Sequence, residues 1–121
     1  MIYIGIVGSR ERSEKDEIEK IIIDAIIKYG TITIVSGGAD GIDKEAEAEA
    51  IFKRVSRIIY EPIFSEYKVK GTDIYFERNK KIAKISDELH AFPLDRMGGT
   101  MNTIKHFKQA GKTDRLFIYD E

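Results

Sequence analysis

The chain has 121 residues, 42% of them hydrophobic and 34% charged, with a formal net charge of −1. That length implies one domain with a buried core, and the near-balance of charge gives no global attraction to nucleic acid or membrane, so an anion site must be local. There is no cysteine, which excludes disulfides, thiolate metal sites and cysteine nucleophiles.

The apolar opening MIYIGIVGSR is too short for a signal peptide or a membrane span, so a cytoplasmic protein with no membrane partner is expected. Charge is mostly Lys and Glu, isoleucine is frequent, and Asn79, Asn102 and Gln109 are the only amides. That bias fits a thermophilic source and an AT-rich genome equally well.

In chain order, Met1 to Val7 reads as a β-branched strand ended by Gly8. Ser13 opens a helix, with Asp16 completing a capping-box pattern. Ile18, Ile21, Ile22 and Ile26 follow at helical spacing, and Gly30 fits the C-cap. Thr31 to Val35 is a second buried strand. A helix then runs from about Gly41 to Arg54, with Ile42, Ala46 and Ala50 on one face and Asp40 and Asp43 placed to serve its dipole.

Arg57 to Tyr60 is a third strand closed by Pro62, and Ile63 to Thr72 is the least regular stretch. Asp73 to Ser86 is helical, with Ile74, Arg78, Ile82 and Ile85 along one stripe. Leu89 to Phe92 forms strand four, stopped by Pro93. A fourth helix starts near Thr100, with that residue as its N-cap, and ends at Gly111; Leu116 to Tyr119 is strand five. The expectation is a doubly wound α/β sheet of about five mainly parallel strands with helices on both faces.

Such sheets bind ligands beyond the carboxyl ends of their strands. Three glycine-bearing loops fall there: Gly8-Ser9-Arg10 after strand one, Ser36-Gly37-Gly38 after strand two, and Met97-Gly98-Gly99-Thr100 after strand four. Each leads towards a helix start, where free N–H groups and the dipole favour an anion. Thr100 and Thr103 add hydroxyls for phosphate oxygens. Arg78, on an apolar stripe, needs a carboxylate or a phosphate as partner, and Asn79 needs its amide satisfied.

Other chemistries are absent. There is no GxGxxG after strand one, no acidic residue ending strand two and no P-loop. His90 and His106 lack ligand spacing. No metal or cofactor is expected.

VSGGADGID (35–43) resembles the VSGGARGID-type motif of the DNA-processing protein A family (DprA/Smf). FERNKKIAKISD (76–87) is similar to that family's FPxRNRIIAxLSD segment, and GGTMNT (98–103) sits where the family has its SGTxxTA loop. The same features, in this order, mark the wider SLOG superfamily of Rossmann-like nucleotide-binding domains, which includes the lonely-guy phosphoribohydrolases. The resemblance implies that Gly37, Gly38, Gly41 and Asp43 shape one pocket wall, that Arg78 and Asn79 form a second, and that Gly98, Gly99 and Thr100 lie under a phosphate. It departs at Thr103, which stands where the lonely-guy enzymes carry a catalytic glutamate, and at Met97, which replaces their proline.

The function expected is binding of a nucleotide or nucleotide-derived phosphorylated small molecule, in the manner of a sensor. Two alternatives stand beside it. One is nucleoside-monophosphate N-glycoside hydrolysis, with Arg78 and an acid at Asp43 or Glu77. The other is DprA-like binding of single-stranded DNA, with Tyr67, Tyr75 and Phe76 as stacking platforms and Lys80, Lys81, Lys84, Lys105, Lys108 and Lys112 as basic strips. Family habit implies a homodimer.

Overall fold

The computed structural model describes residues 1–63 and 72–121. Among these residues, β1 (Ile2–Gly8), β2 (Ile32–Ser36), β3 (Ser56–Ile59), β4 (Glu88–Phe92) and β5 (Leu116–Ile118) alternate with α1 (Lys15–Tyr29), α2 (Ile42–Phe52), α3 (Thr72–Ile85) and α4 (Gly99–Gln109). The strands make one sheet in the order β3-β2-β1-β4-β5, and every pairing is parallel. This is the Rossmann-like α/β architecture that the alternating pattern implies.

Strand alternation explains the two cores. Ile4, Ile6, Ile32 and Ile34 pack on one face with Ile18, Ile21 and Ile22 of α1 and with Ile42, Ala46 and Ala50 of α2. Val7, Val35, Leu89 and Ala91 pack on the other with Ile82 and Ala83 of α3 and Ile104 and Phe107 of α4. A strand covered on both faces has no reason to alternate in polarity, hence the unbroken apolar runs. Burying each such isoleucine contributes roughly 1.5–3 kcal/mol. The alanines of α2 let that helix approach the sheet closely.

Some boundaries differ from the reading above. Helix α1 has no capping box: Glu14 holds the N-cap position without a side-chain bond, and the Ser13 hydroxyl donates to Glu45 Oε2 instead. Helix α2 ends at Phe52, because Arg54 turns to φ 56° and Val55 N–H reaches back to the Ala50 carbonyl. The C-cap at Gly30 forms as expected, with φ 80° and its N–H on the Ile26 carbonyl. Residues 64–71 of the irregular stretch, Tyr67 among them, lie outside the described residues.

Candidate functional site

The strand order places β1 between β2 and β4, so the chain reverses its direction of travel across the sheet at the β1/β4 boundary. A cavity of about 600 Å³ opens there, at the carboxyl ends of those strands. Gly8, Ser9 and Arg10 reach it from the β1 loop, Tyr75, Phe76, Arg78 and Asn79 from α3, and Met97, Gly98, Gly99, Thr100 and Thr103 from the start of α4. Ala39 and Asp43 contribute from the second loop and α2.

Arg78 is the best-anchored cation in this cavity. Its Nη1 donates to the Gly37 carbonyl, and its Nε donates to Asn79 Oδ1 at 2.9 Å. It forms no salt bridge among the described residues, and no hydrogen bond of Nη2 is found among them. Burial lowers its pKa, opposed by the nearby Asp43 charge, yet a guanidinium keeps its proton. Arg10 and Arg78 both approach the Tyr75 ring, at 6.0 and 5.8 Å from its centroid.

Asp43 stands at the first turn of α2, 5% exposed. Its Oδ1 accepts the Gly8 N–H and its Oδ2 the Ala39 N–H, both at 3.3 Å. Burial pushes its pKa up to about 6, against the pull of those hydrogen bonds and of Arg78. Thus a carboxyl whose pKa is raised by burial and an arginine with no salt bridge among the described residues border the same space.

Asn79 ties the third wall. Its Nδ2 donates to the Gly99 carbonyl at 3.3 Å and to Asn102 Oδ1 at 3.2 Å, fixing the start of α4 to α3. Gly98 takes φ 83° as the N-cap, so the N-cap is Gly98 and not Thr100; Thr100 sits in the first turn and faces the cavity. The first-turn N–H groups have no acceptor inside the helix, and the dipole there favours an anion.

Not every residue read from the sequence reaches the cavity. Ser36, Gly37 and Gly38 do not line it among the described residues. Ser36 is buried with its hydroxyl on the Asp43 carbonyl, Gly38 packs beside Ile59 and Glu61, and Gly37 acts behind Arg78. Thr103 does border the cavity, but its hydroxyl donates to the Gly99 carbonyl one turn back. Asp40 is exposed ahead of α2 rather than within it. Glu77 does not line the cavity and stands 3.9 Å from Lys80. Lys112 is no part of a solvated strip: its Nζ donates to the carbonyls of Ala83, Lys84 and Ser86, capping the end of α3.

Two features went unread in the sequence. Arg12 is 8% exposed; its Nη1 donates to the Pro93 and Tyr119 carbonyls and its Nη2 pairs with Glu14. It braces the loop after β4 against the one after β1. His90 is likewise no lone side chain: its Nε2 meets Glu88 Oε1 at 2.9 Å and its Nδ1 meets the Tyr119 hydroxyl at 2.8 Å. The spacing Glu88-x-His90 on one strand face was the available signal.

Fold and crevice together define a Rossmann-like α/β domain with a glycine-bordered crevice at its topological switch point. The profile of the DNA recombination-mediator protein A family matches residues 1–60. DNA-processing protein A from Helicobacter pylori, solved in work on its "unique single-stranded DNA binding mode", superimposes with a TM-score of 0.75 at 21% identity, over 97% of this chain and 64% of that one. DNA-processing protein A from Streptococcus pneumoniae gives 0.77 at 20% identity, over 98% of this chain and 50% of that one. No curated protein matches the sequence. The chain shares the Rossmann-like fold of the DNA-processing protein A structures, and it spans about half to two thirds of the length of those solved chains.

Proposed function

We propose that the crevice binds a phosphorylated nucleotide, with the phosphate between Arg78 and the start of α4. The observation that carries this reading is Arg78 itself. A half-buried guanidinium held by three hydrogen bonds, without a salt bridge among the described residues, is aimed at a cavity; burying such a charge is costly unless an anion completes it. Gly98 and Gly99 leave the α4 amides open to that anion. Tyr75 and Phe76 supply aromatic surface for a base.

A second reading takes the bound nucleotide as one unit of a single strand. The family match and the likeness to the Helicobacter pylori protein favour it. Hydrolysis of an N-glycosidic bond has less support: Thr103 is neutral and bonded within α4, which leaves Asp43 as the one carboxyl of the described residues both buried and bordering the cavity beside Arg78.

Calorimetric titration with nucleoside monophosphates, alongside chromatography for released base, tests the reading. Saturable binding without base release is the expected result. Failure of every nucleotide and oligonucleotide to bind would contradict it, and base release would move the protein to the hydrolases.

A further inference from the structure

Arg78 is not the only cation of the crevice. Arg10, on the loop after β1, lines the same cavity, and the two guanidiniums converge on one ring. Arg10 Cζ lies 6.0 Å and Arg78 Cζ 5.8 Å from the Tyr75 centroid, so the two carbons are within about 12 Å of each other. Arg10 is exposed. Its side chain makes no hydrogen bond and no salt bridge among the described residues.

Two positive charges brought together in this way carry a cost. Burial is the largest cause lowering the Arg78 pKa, and the Arg10 charge lowers it further, against the pull of Asp43. The shared face of Tyr75 offsets part of the repulsion. Asp43 bridges neither arginine: its oxygens accept the Gly8 and Ala39 N–H groups, and it forms no salt bridge among the described residues. An anion lying between the guanidiniums reverses the sign of the interaction, and it does so fully only with a charged group for each.

A monophosphate held by Arg78 and the start of α4 satisfies one arginine and leaves the other facing solvent. Two phosphates joined through one oxygen, with a charge-assisted hydrogen bond at each end, span a gap of about the size set by the Tyr75 ring. The cavity, about 600 Å³, is of a size that takes such a ligand. Glu11 and Asp95 also line it, both exposed. A carboxylate accepts hydrogen bonds and donates none, so these two suit the hydroxyls and amino groups of a nucleoside and oppose a longer run of phosphates.

We propose that the crevice is built for a nucleoside diphosphate, with one phosphate between Arg78 and the start of α4 and the other on Arg10. The inference rests on the nucleotide reading of the crevice and adds to it the number of phosphates and the residue that counts them. Arg10 discriminates between ligands, and Arg78 holds what they share.

The test is calorimetric titration with the mono- and diphosphates of adenosine and uridine, in metal-free buffer, on the wild-type chain and on Arg10→Gln. In the wild type the better-bound nucleoside is expected to bind as the diphosphate at least about tenfold more tightly than as the monophosphate. Arg10→Gln should bring that ratio down to about twofold or less, with most of the loss on the diphosphate. A wild-type ratio near one, or a ratio that survives Arg10→Gln, overturns the diphosphate assignment and leaves the crevice reading in place. Binding of none of the four nucleotides by the wild type overturns both. Arg10 is exposed and without a hydrogen bond or salt bridge among the described residues, so melting curves of the two proteins should agree; the ratio compares two ligands on one protein and is blind to a uniform loss of folded chain.

Discussion

Arg78 lies directly over Gly37. The guanidinium donates to the Gly37 carbonyl, and a Cβ at residue 37 would come within 2.5 Å of Nη1 and 3.0 Å of Asp43 Oδ2. The SGG stretch after β2 is thus explained by what presses on it: one glycine makes room for a half-buried arginine, which the paired glycines of the sequence do not reveal on their own.

Gly37→Ala should therefore damage the site before the fold. The added methyl pushes Arg78 out of place, and nucleotide affinity is expected to fall about tenfold or more, equivalent to at least roughly 1.4 kcal/mol. Calorimetry measures it. Gly37→Ala binding as tightly as the wild type would mean that Arg78 does not hold the ligand from this position.

Gly41 makes the contrasting case. It adopts φ 76°, and a Cβ there would meet the Ser9 and Arg10 carbonyl oxygens at 2.4 and 2.6 Å. Backbone atoms cannot swing aside, so Gly41→Ala is expected to destabilise the whole domain by about 2 kcal/mol or more. Urea unfolding midpoints would report it.

Asn79→Ala removes three hydrogen bonds at once, those with Arg78 Nε, the Gly99 carbonyl and Asn102. Loss of about 1–3 kcal/mol in unfolding free energy is expected from the partners left behind. Hydrogen exchange should place the greatest loss of protection at the α3–α4 contact.

Asp43 gives the stability a pH dependence with a definite sign. Burial raises its pKa to about 6 in the folded protein against 3.8 for an unperturbed aspartate, so between those values the folded state holds a proton that the unfolded chain has released. The protonated form favours folding below about pH 4, and that contribution fades as pH rises through 6. Asp43→Asn, which copies the neutral carboxyl, should lack this loss. The variant is expected to gain on the wild type by about 2 kcal/mol between pH 4.5 and pH 7.5, read from denaturant unfolding at the two pH values. A constant difference between the two proteins would show that Asp43 is not desolvated as the fold implies.

The fold was legible because its signals are short-range. Apolar runs such as Ile32–Ser36, stripes such as Ile18, Ile21 and Ile22, and the glycines at strand ends need nothing beyond neighbours in sequence to be read. The crevice was legible to the extent that loops mark its position: Gly8, Ser9, Arg10, Gly98, Gly99 and Thr100 border the cavity as the parallel topology requires. Direction of side chains was not. Thr103 turning back to Gly99, Ser13 reaching Glu45 rather than its own helix, and Arg12 spanning three segments all depend on partners more than thirty residues away or on the choice of one rotamer. A one-dimensional pattern does not carry that information.

The account turns on Arg78 as the seat of a phosphate, and one calorimetric comparison tests it most directly. Arg78→Gln ends in an amide at the depth of Nε, the atom that donates to Asn79, while removing the charge. With the wild type binding a nucleoside monophosphate, the variant is expected to bind at least about tenfold more weakly, since a charge-assisted hydrogen bond contributes roughly twice a neutral one. Equal affinity of the two proteins, with melting curves that agree, would contradict the assignment.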